Sequence, residues 1–443
     1  MASVGSTSRA PRGRPRSRIR AWIAASTAAL LLTSSGLVAG GVTAGSRLGN
    51  PDVIAHWNLV AQATLLGDTT KKPQEHFLYL AFLNIAMYDA VVGIHGRYEP
   101  YGLHARVQAN TSDEAAVAAA AHHVLETYSP YAQTTLDAAY ATALASIRNS
   151  PAKARGIAFG TRAANAIIAL RANDGRNANI TFAPTPGPGI WRPTPPANLA
   201  MFVPWMGSVT PLVVQSGAQF GEPGPQPAMT SPEYTAAFNE VKRTGRFDAP
   251  LTDRSADMTA TALFFSGNAQ IQFTGALIDQ ATKRHLDIVD TARVFAAVNT
   301  SIADALIAVW HSKVHYGFWR PITAINLADT DDNPDTAADT TWTPLLTTPP
   351  YPDYVSGYSG VTGAFTRSLQ RALGTLDINV TLHSTAVAGA ERSYARAGAL
   401  NTAVIDARIW LGIHFRFADT EGVRMGQRTA SYVLSHAFQA VGG

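Results

Sequence analysis

Three short stretches in the last third of the chain gather residue types suited to holding a small oxyanion. The first runs Trp310-His311-Ser312-Lys313 and continues to Phe318-Trp319-Arg320-Pro321. Lys313 and Arg320 are seven apart, about two helical turns, so a continuous helix puts both cations on one face. Pro321 marks an end or bend of that helix. The second stretch, Pro349 to Gly360, climbs through prolines and Tyr351 to Ser356-Gly357-Tyr358 at a predicted helix start. A helix start offers free N–H groups and a positive dipole end, and both suit an anion. The third runs Arg408 to His414 and on to Phe415-Arg416-Phe417-Ala418-Asp419. On an ideal helix Arg408 and His414 stand roughly 120° apart, so they converge only if Gly412 breaks the helix between them. Three cations, a hydroxyl, a helix-start amide and an imidazole form a donor set for phosphate or vanadate.

Helices must position these groups. Periodicity predicts helices over 57–94, from a Ser112 cap through Leu125, over 132–147, 152–174, 232–243, 255–264, 272–281 and 290–315, and over 357–373. Further helices are expected over 385–414, with a break, and over 420–438. Residues 177–231 are rich in proline and glycine yet carry Trp191 and Trp205, so a long ordered loop on the surface is expected. Strand-like alternation is scarce, and the predicted class is all-α.

The order Lys-x6-Arg-Pro, Ser-Gly-x, Arg-x5-His resembles the three-part signature shared by vanadium-dependent haloperoxidases and type 2 phosphatidic acid phosphatases. Tyr88-Asp89-Ala90-Val91, Gly189-Ile190-Trp191-Arg192-Pro193 and Gly412-Ile413-His414-Phe415 resemble the bacterial haloperoxidase-like branch. The resemblance covers about 52–440 and implies a helical bundle of the haloperoxidase type. It implies that Lys313, Arg320, Ser356, Gly357 and Arg408 hold vanadate, with phosphate as a substitute. It implies His414 as the axial vanadium ligand, or as the nucleophile of a phosphatase. Asp419 is a candidate to orient His414, and Tyr351, Trp310 and Trp319 are candidates for the halide or substrate pocket. One position departs: the family's acid–base histidine of the Ser-Gly-His word is here Tyr358. A phenol, with an ordinary pKa of about 10, exchanges protons poorly near neutrality. Three readings follow. The first is an impaired haloperoxidase using halide and hydrogen peroxide, the second a non-redox isomerase or cyclase needing no vanadate, and the third an acid phosphatase.

Composition narrows the rest. The chain has 443 residues, 46% hydrophobic and 15% charged, which is globular rather than disordered. The first 45 residues hold six arginines and no acid. Without them 29 of the 35 basic residues face 31 acidic ones, so the high pI implies no nucleic-acid surface. An arginine-rich start, an apolar run over 21–38 and small residues to Gly45 predict a signal segment over 1–45 and a secreted protein. One domain over 46–443 is expected, with an N-terminal half over 52–176, the connection over 177–231 and a catalytic half over 232–440. No later run reads as a membrane span. A small-molecule substrate is expected, and a homodimer is left open. Cysteine is absent, which removes disulfides and thiolate chemistry. His311 and His315 share a helix face without an evident acidic partner, and His122-His123 diverge. Asp329 to Asp335 imitates a calcium loop but lacks its glycine and terminal glutamate.

Overall fold

Residues 48–442 are described by a computed structural model of the chain. The predicted signal segment lies outside them. The N-terminal half begins with α1 (Asp52–Gly67), which turns Ile54, Trp57 and Leu65 inward, and α2 (Pro73–His95), which is buried on every side. α3 (Asp113–Tyr128) starts at the predicted Ser112 cap, whose hydroxyl accepts from the Ala115 amide at 3.2 Å. α4 (Gln133–Ala145) and α5 (Pro151–Leu170) follow. The alanine-rich pair α3 and α5 pack backbone to backbone. A β-carbon at Gly160 would stand 2.0 Å from the Ala116 carbonyl oxygen.

The connection over 177–231 reaches deeper than a surface loop. Trp191, Val203, Trp205, Met206 and Val214 are buried in the main core, and the short α6 (Ala218–Gly221) follows. α7 (Pro232–Thr244), α8 (Ala256–Phe264) and α9 (Ala269–Lys283) lead to the long α10 (Ile288–Tyr316). By length and composition α2 and α10 are apolar enough to cross a membrane, contrary to the sequence expectation. In each, 94% of the apolar window is buried inside the protein, so both act as core axes. Each axis carries a buried aspartate that ties down a loop. Asp89 accepts the amides of Tyr101, Gly102 and Leu103, and Asp304 those of Leu212, Val213 and Val214.

Beyond α10 come α11 (Pro321–Asn326) and α12 (Gly357–Leu373), the latter with the predicted bounds. An antiparallel ribbon of β1 (Asp377–His383) and β2 (Glu391–Arg396) follows, and β2 takes the first part of the span from 385 where a broken helix is expected. Leu382 and Val380 point inward and the polar residues outward, a period-two pattern that alanines nearby obscure. α13 (Ala397–Trp410) and α14 (Arg416–His436) complete the chain. With fourteen helices and one ribbon among the described residues, the fold is all-α.

Candidate functional site

The three sequence stretches meet in the interior, though not as one continuous helix face. Gly317 adopts left-handed φ of 54° and ends α10 one turn after Lys313. Arg320 then caps α11, with Pro321 as its first residue, so Pro321 opens a new helix rather than bending the old one. Lys313 and Arg320 converge because both grip the proline-rich approach. Lys313 Nζ donates to the Pro352 carbonyl at 2.6 Å and the Asp353 carbonyl at 3.1 Å. Arg320 Nε donates to the Tyr351 carbonyl at 2.7 Å, and its Nη1 donates to the Ile413 carbonyl at 2.6 Å. Gly412, with φ of 77°, ends the α13 run as expected and turns His414 back toward Arg320. Its backbone passes so close to Gly245 that a β-carbon would lie 2.4 Å from that carbonyl oxygen.

Around His414 the cradle is buried. Lys313, Arg320 and Ser356 are fully buried, and His414 and Arg408 nearly so. Arg320 Nη1 lies 3.2 Å from His414 Nε2, and Ser356 Oγ lies 3.4 Å from the same nitrogen. Ser356 sits at the start of α12 without its side chain capping it, which leaves the amides of Gly357, Tyr358 and Ser359 free to face an anion, while Gly360 donates to the Ser356 carbonyl. Arg320 Nη2 and Arg408 Nε are buried with no partner among the described residues. Burial and the neighbouring Arg320 hold the Lys313 ammonium well below its ordinary pKa. The same two influences lower His414, so its imidazole is neutral at neutral pH. Unpaired buried N–H donors beside a buried ammonium are a donor set that fits an anion.

Two site assignments change. Asp419 does not orient His414. It accepts from Ser359 Oγ at 2.8 Å, and burial raises its carboxyl to about 6. The carboxylate beside His414 is Asp353, whose Oδ1 stands 2.7 Å from Nδ1 and 3.5 Å from Arg320 Nη1. Among the described residues neither Asp353 oxygen has a well-aligned donor, and burial raises its carboxyl to about 7 against the pull of Arg320, Lys313 and the Phe415 amide. Burial disfavours the charged form of both groups, which weakens this contact as an ion pair. Asp353 was readable only as the acid between two tyrosines in the proline-rich approach.

Tyr358 lines the cavity next to the cradle instead of facing its interior. Its hydroxyl donates to Gln272 Oε1 at 2.7 Å, and its ring lies 4.8 Å from the Arg408 guanidinium carbon. Gln272 comes from α9 and carried no signal of its own in the sequence. Burial raises the phenol further, even against Arg408, so it keeps its proton. The cavity, about 400 Å³, is mostly apolar and is lined by Phe77, Phe202, Leu306, Trp310, Tyr351 and Arg408 among others. Tyr351 also lies within 5.0 Å of both Lys313 Nζ and the Arg320 guanidinium carbon. Trp319 does not line this cavity. It is fully buried beside Phe318, with Tyr234 near by, as a core residue.

Comparisons with known proteins bear on the sequence and fold around this site. Residues 293–443 match the model of the VCPO second helical-bundle domain, a span that holds every cradle residue. That match spans about the C-terminal third of the chain. The vanadium chloroperoxidase of Curvularia inaequalis is 33% identical over 88 residues, or 18% of this chain and about 14% of that relative's length. Similarity of fold extends beyond that C-terminal span. The first bacterial vanadium-dependent iodoperoxidase superposes with a TM-score of 0.75 at 23% identity, covering 89% of this chain and 98% of its own. A holo-type bacterial vanadium-dependent chloroperoxidase gives 0.64 at 15% identity, covering 83% and 93%.

The remaining candidates resolve simply. His122 pairs with Asp137 and His123 with Glu126. In the acidic loop Asp331 and Asn333 are buried, not solvated. Asp331 accepts from Thr336 Oγ1, and Asn333 donates to the Met229 carbonyl, so the loop is held by its own turns.

Proposed function

We propose that the protein is a haloperoxidase-like oxidoreductase that binds vanadate in the buried cradle and uses hydrogen peroxide and halide on a small organic substrate. The observation that carries this reading is the convergence of Lys313, Arg320 and Arg408, with unpaired buried N–H groups, around a neutral His414. Those residues fit vanadate: Lys313, Arg320, Arg408, Ser356 and the Gly357 amide offer donors to its oxygens, and His414 offers a ring lone pair to the metal. When bound, vanadate supplies a Lewis-acidic centre that activates peroxide toward halide oxidation. The protein's part is to hold the charge, exclude water and manage protons.

Proton exchange near neutrality falls to Asp353 and Asp419, with carboxyls at about 7 and about 6, because Tyr358 is locked as a donor to Gln272. On this reading Tyr358 slows the reaction relative to a histidine. The apolar cavity beside Arg408 would take the organic substrate or halide. Export with removal of 1–45 rests on the arginine-rich, apolar and small-residue order of that segment.

The test is peroxide-dependent oxidation of iodide and bromide by vanadate-loaded protein, beside Tyr358→His. Slow vanadate-dependent turnover is expected in the wild type. A rise of about 10²–10⁴-fold is expected in the variant, the usual range of general acid–base catalysis. Oxidation absent from both proteins despite saturating vanadate would remove the reading.

A further inference from the structure

We propose that Glu222, His311 and His315 form a surface site for a divalent transition metal, of zinc's ligand preference, that clamps the end of α6 to α10. The two histidines are four apart on α10, with rings near-parallel and 6.1 Å apart. Glu222 follows α6 and supplies the acid that the sequence around the histidines lacks. Its Oε1 lies 2.8 Å from His311 Nε2 and 3.8 Å from His315 Nδ1, and one ligand atom from each of the three residues lies within 4.8 Å of the other two. A tetrahedral ion with bonds of ~2.0–2.1 Å separates neighbouring ligand atoms by roughly 3.4 Å. The two observed spacings straddle that value, so small side-chain rotations admit the ion.

The backbone on both sides of Glu222 is held in place. Before it, Ser312 Oγ, fully buried, donates to the Gly221 carbonyl at 2.5 Å. A β-carbon at Gly221 would lie 2.7 Å from the Ala308 carbonyl oxygen, so the two backbones touch. After it, Gly224 donates to the Tyr316 hydroxyl and accepts from the Tyr354 hydroxyl, each at 3.1 Å. Glu222 is therefore presented to the histidines by fixed backbone. Two imidazoles and one carboxylate leave one tetrahedral position for water. Tyr316, whose ring lies 4.6 Å from His315, is the neighbouring titratable group, and Glu421 also acts on it. The site lies outside the oxyanion cradle and does not depend on the function proposed for it.

The test is calorimetric zinc titration of tag-free, chelator-stripped full-length protein, with cobalt absorption as a second readout. One saturable equivalent is expected, with the intense visible bands of tetrahedral cobalt. His311→Ala/His315→Ala should abolish both signals, and Glu222→Gln should weaken binding about tenfold or more. All three side chains are at least a quarter exposed, so these variants should fold, which a thermal melt checks. The proposal is overturned if the wild type takes up no zinc. It is equally overturned if uptake survives the double variant, whether or not His122→Ala, beside Glu126 and Asp137, removes it.

Discussion

Asp353 is the residue on which the electrostatics of the cradle turn. Its carboxyl, raised to about 7 by burial, faces Arg320 and His414 and competes with any anion for the same cations. An anion in the cradle disfavours ionised Asp353 and so raises its pKa further. Anion affinity should then be highest below about 7 and fall as pH rises through and above 7. Sulfate is the suitable probe, because it keeps both charges over this range. Sulfate titrations should show that fall in the wild type and a flatter profile in Asp353→Asn. A wild-type affinity that rises with pH would contradict the assignment. This residue was hidden in the sequence because nothing in Tyr351-Pro352-Asp353-Tyr354 tells whether the acid points to water or to His414. The cations were legible because lysine and arginine beside buried tryptophans are chemically unusual. The direction of the Tyr358 hydroxyl was not, since its acceptor, Gln272, is 86 residues away.

At the scale of elements, the start of α12 is held against α14 by glycines. A β-carbon at Gly426 would stand 2.0 Å from the Gly360 carbonyl oxygen and 2.6 Å from the Ala364 nitrogen. Both obstacles are backbone, so the helices must move apart. Gly426→Ala is expected to cost at least the ~1–3 kcal/mol typical of overpacking. It should also weaken anion binding in the fraction that stays folded, because α12 carries Ser356 and Gly357. Chemical denaturation and sulfate titration on the same sample separate the two effects. Unchanged stability would show that the close crossing is not needed. The helices themselves were readable from periodicity and caps. The breaks at Gly317 and Gly412 were only half readable: a glycine says that a helix can stop there, and the tertiary surroundings decide that it does. The β-ribbon was missed because short strands beside alanine-rich segments carry too few alternations to outweigh a helical pattern.

For the molecule as a whole, the cradle is assembled from α10, α11, α12, α13 and the two segments that run into α12 and α14. An all-α class and the positions of its main axes follow from apolar runs in α2 and α10, which any fold of this length must bury. The depth of the 177–231 connection does not follow from composition. It rests on Asp304, a single buried acid that fixes three consecutive amides from the middle of α10. Because so many elements meet at this cradle, anion binding there should stabilise the entire fold by mass action, rising with ligand concentration above Kd. Orthovanadate titration by calorimetry, paired with thermal melts, is the most direct measurement of the central claim. One saturable equivalent and a melting temperature that climbs with vanadate are expected in the wild type, and both should be lost in Arg320→Ala. A wild-type protein that binds no vanadate, or binds it equally well without Arg320, would contradict the account.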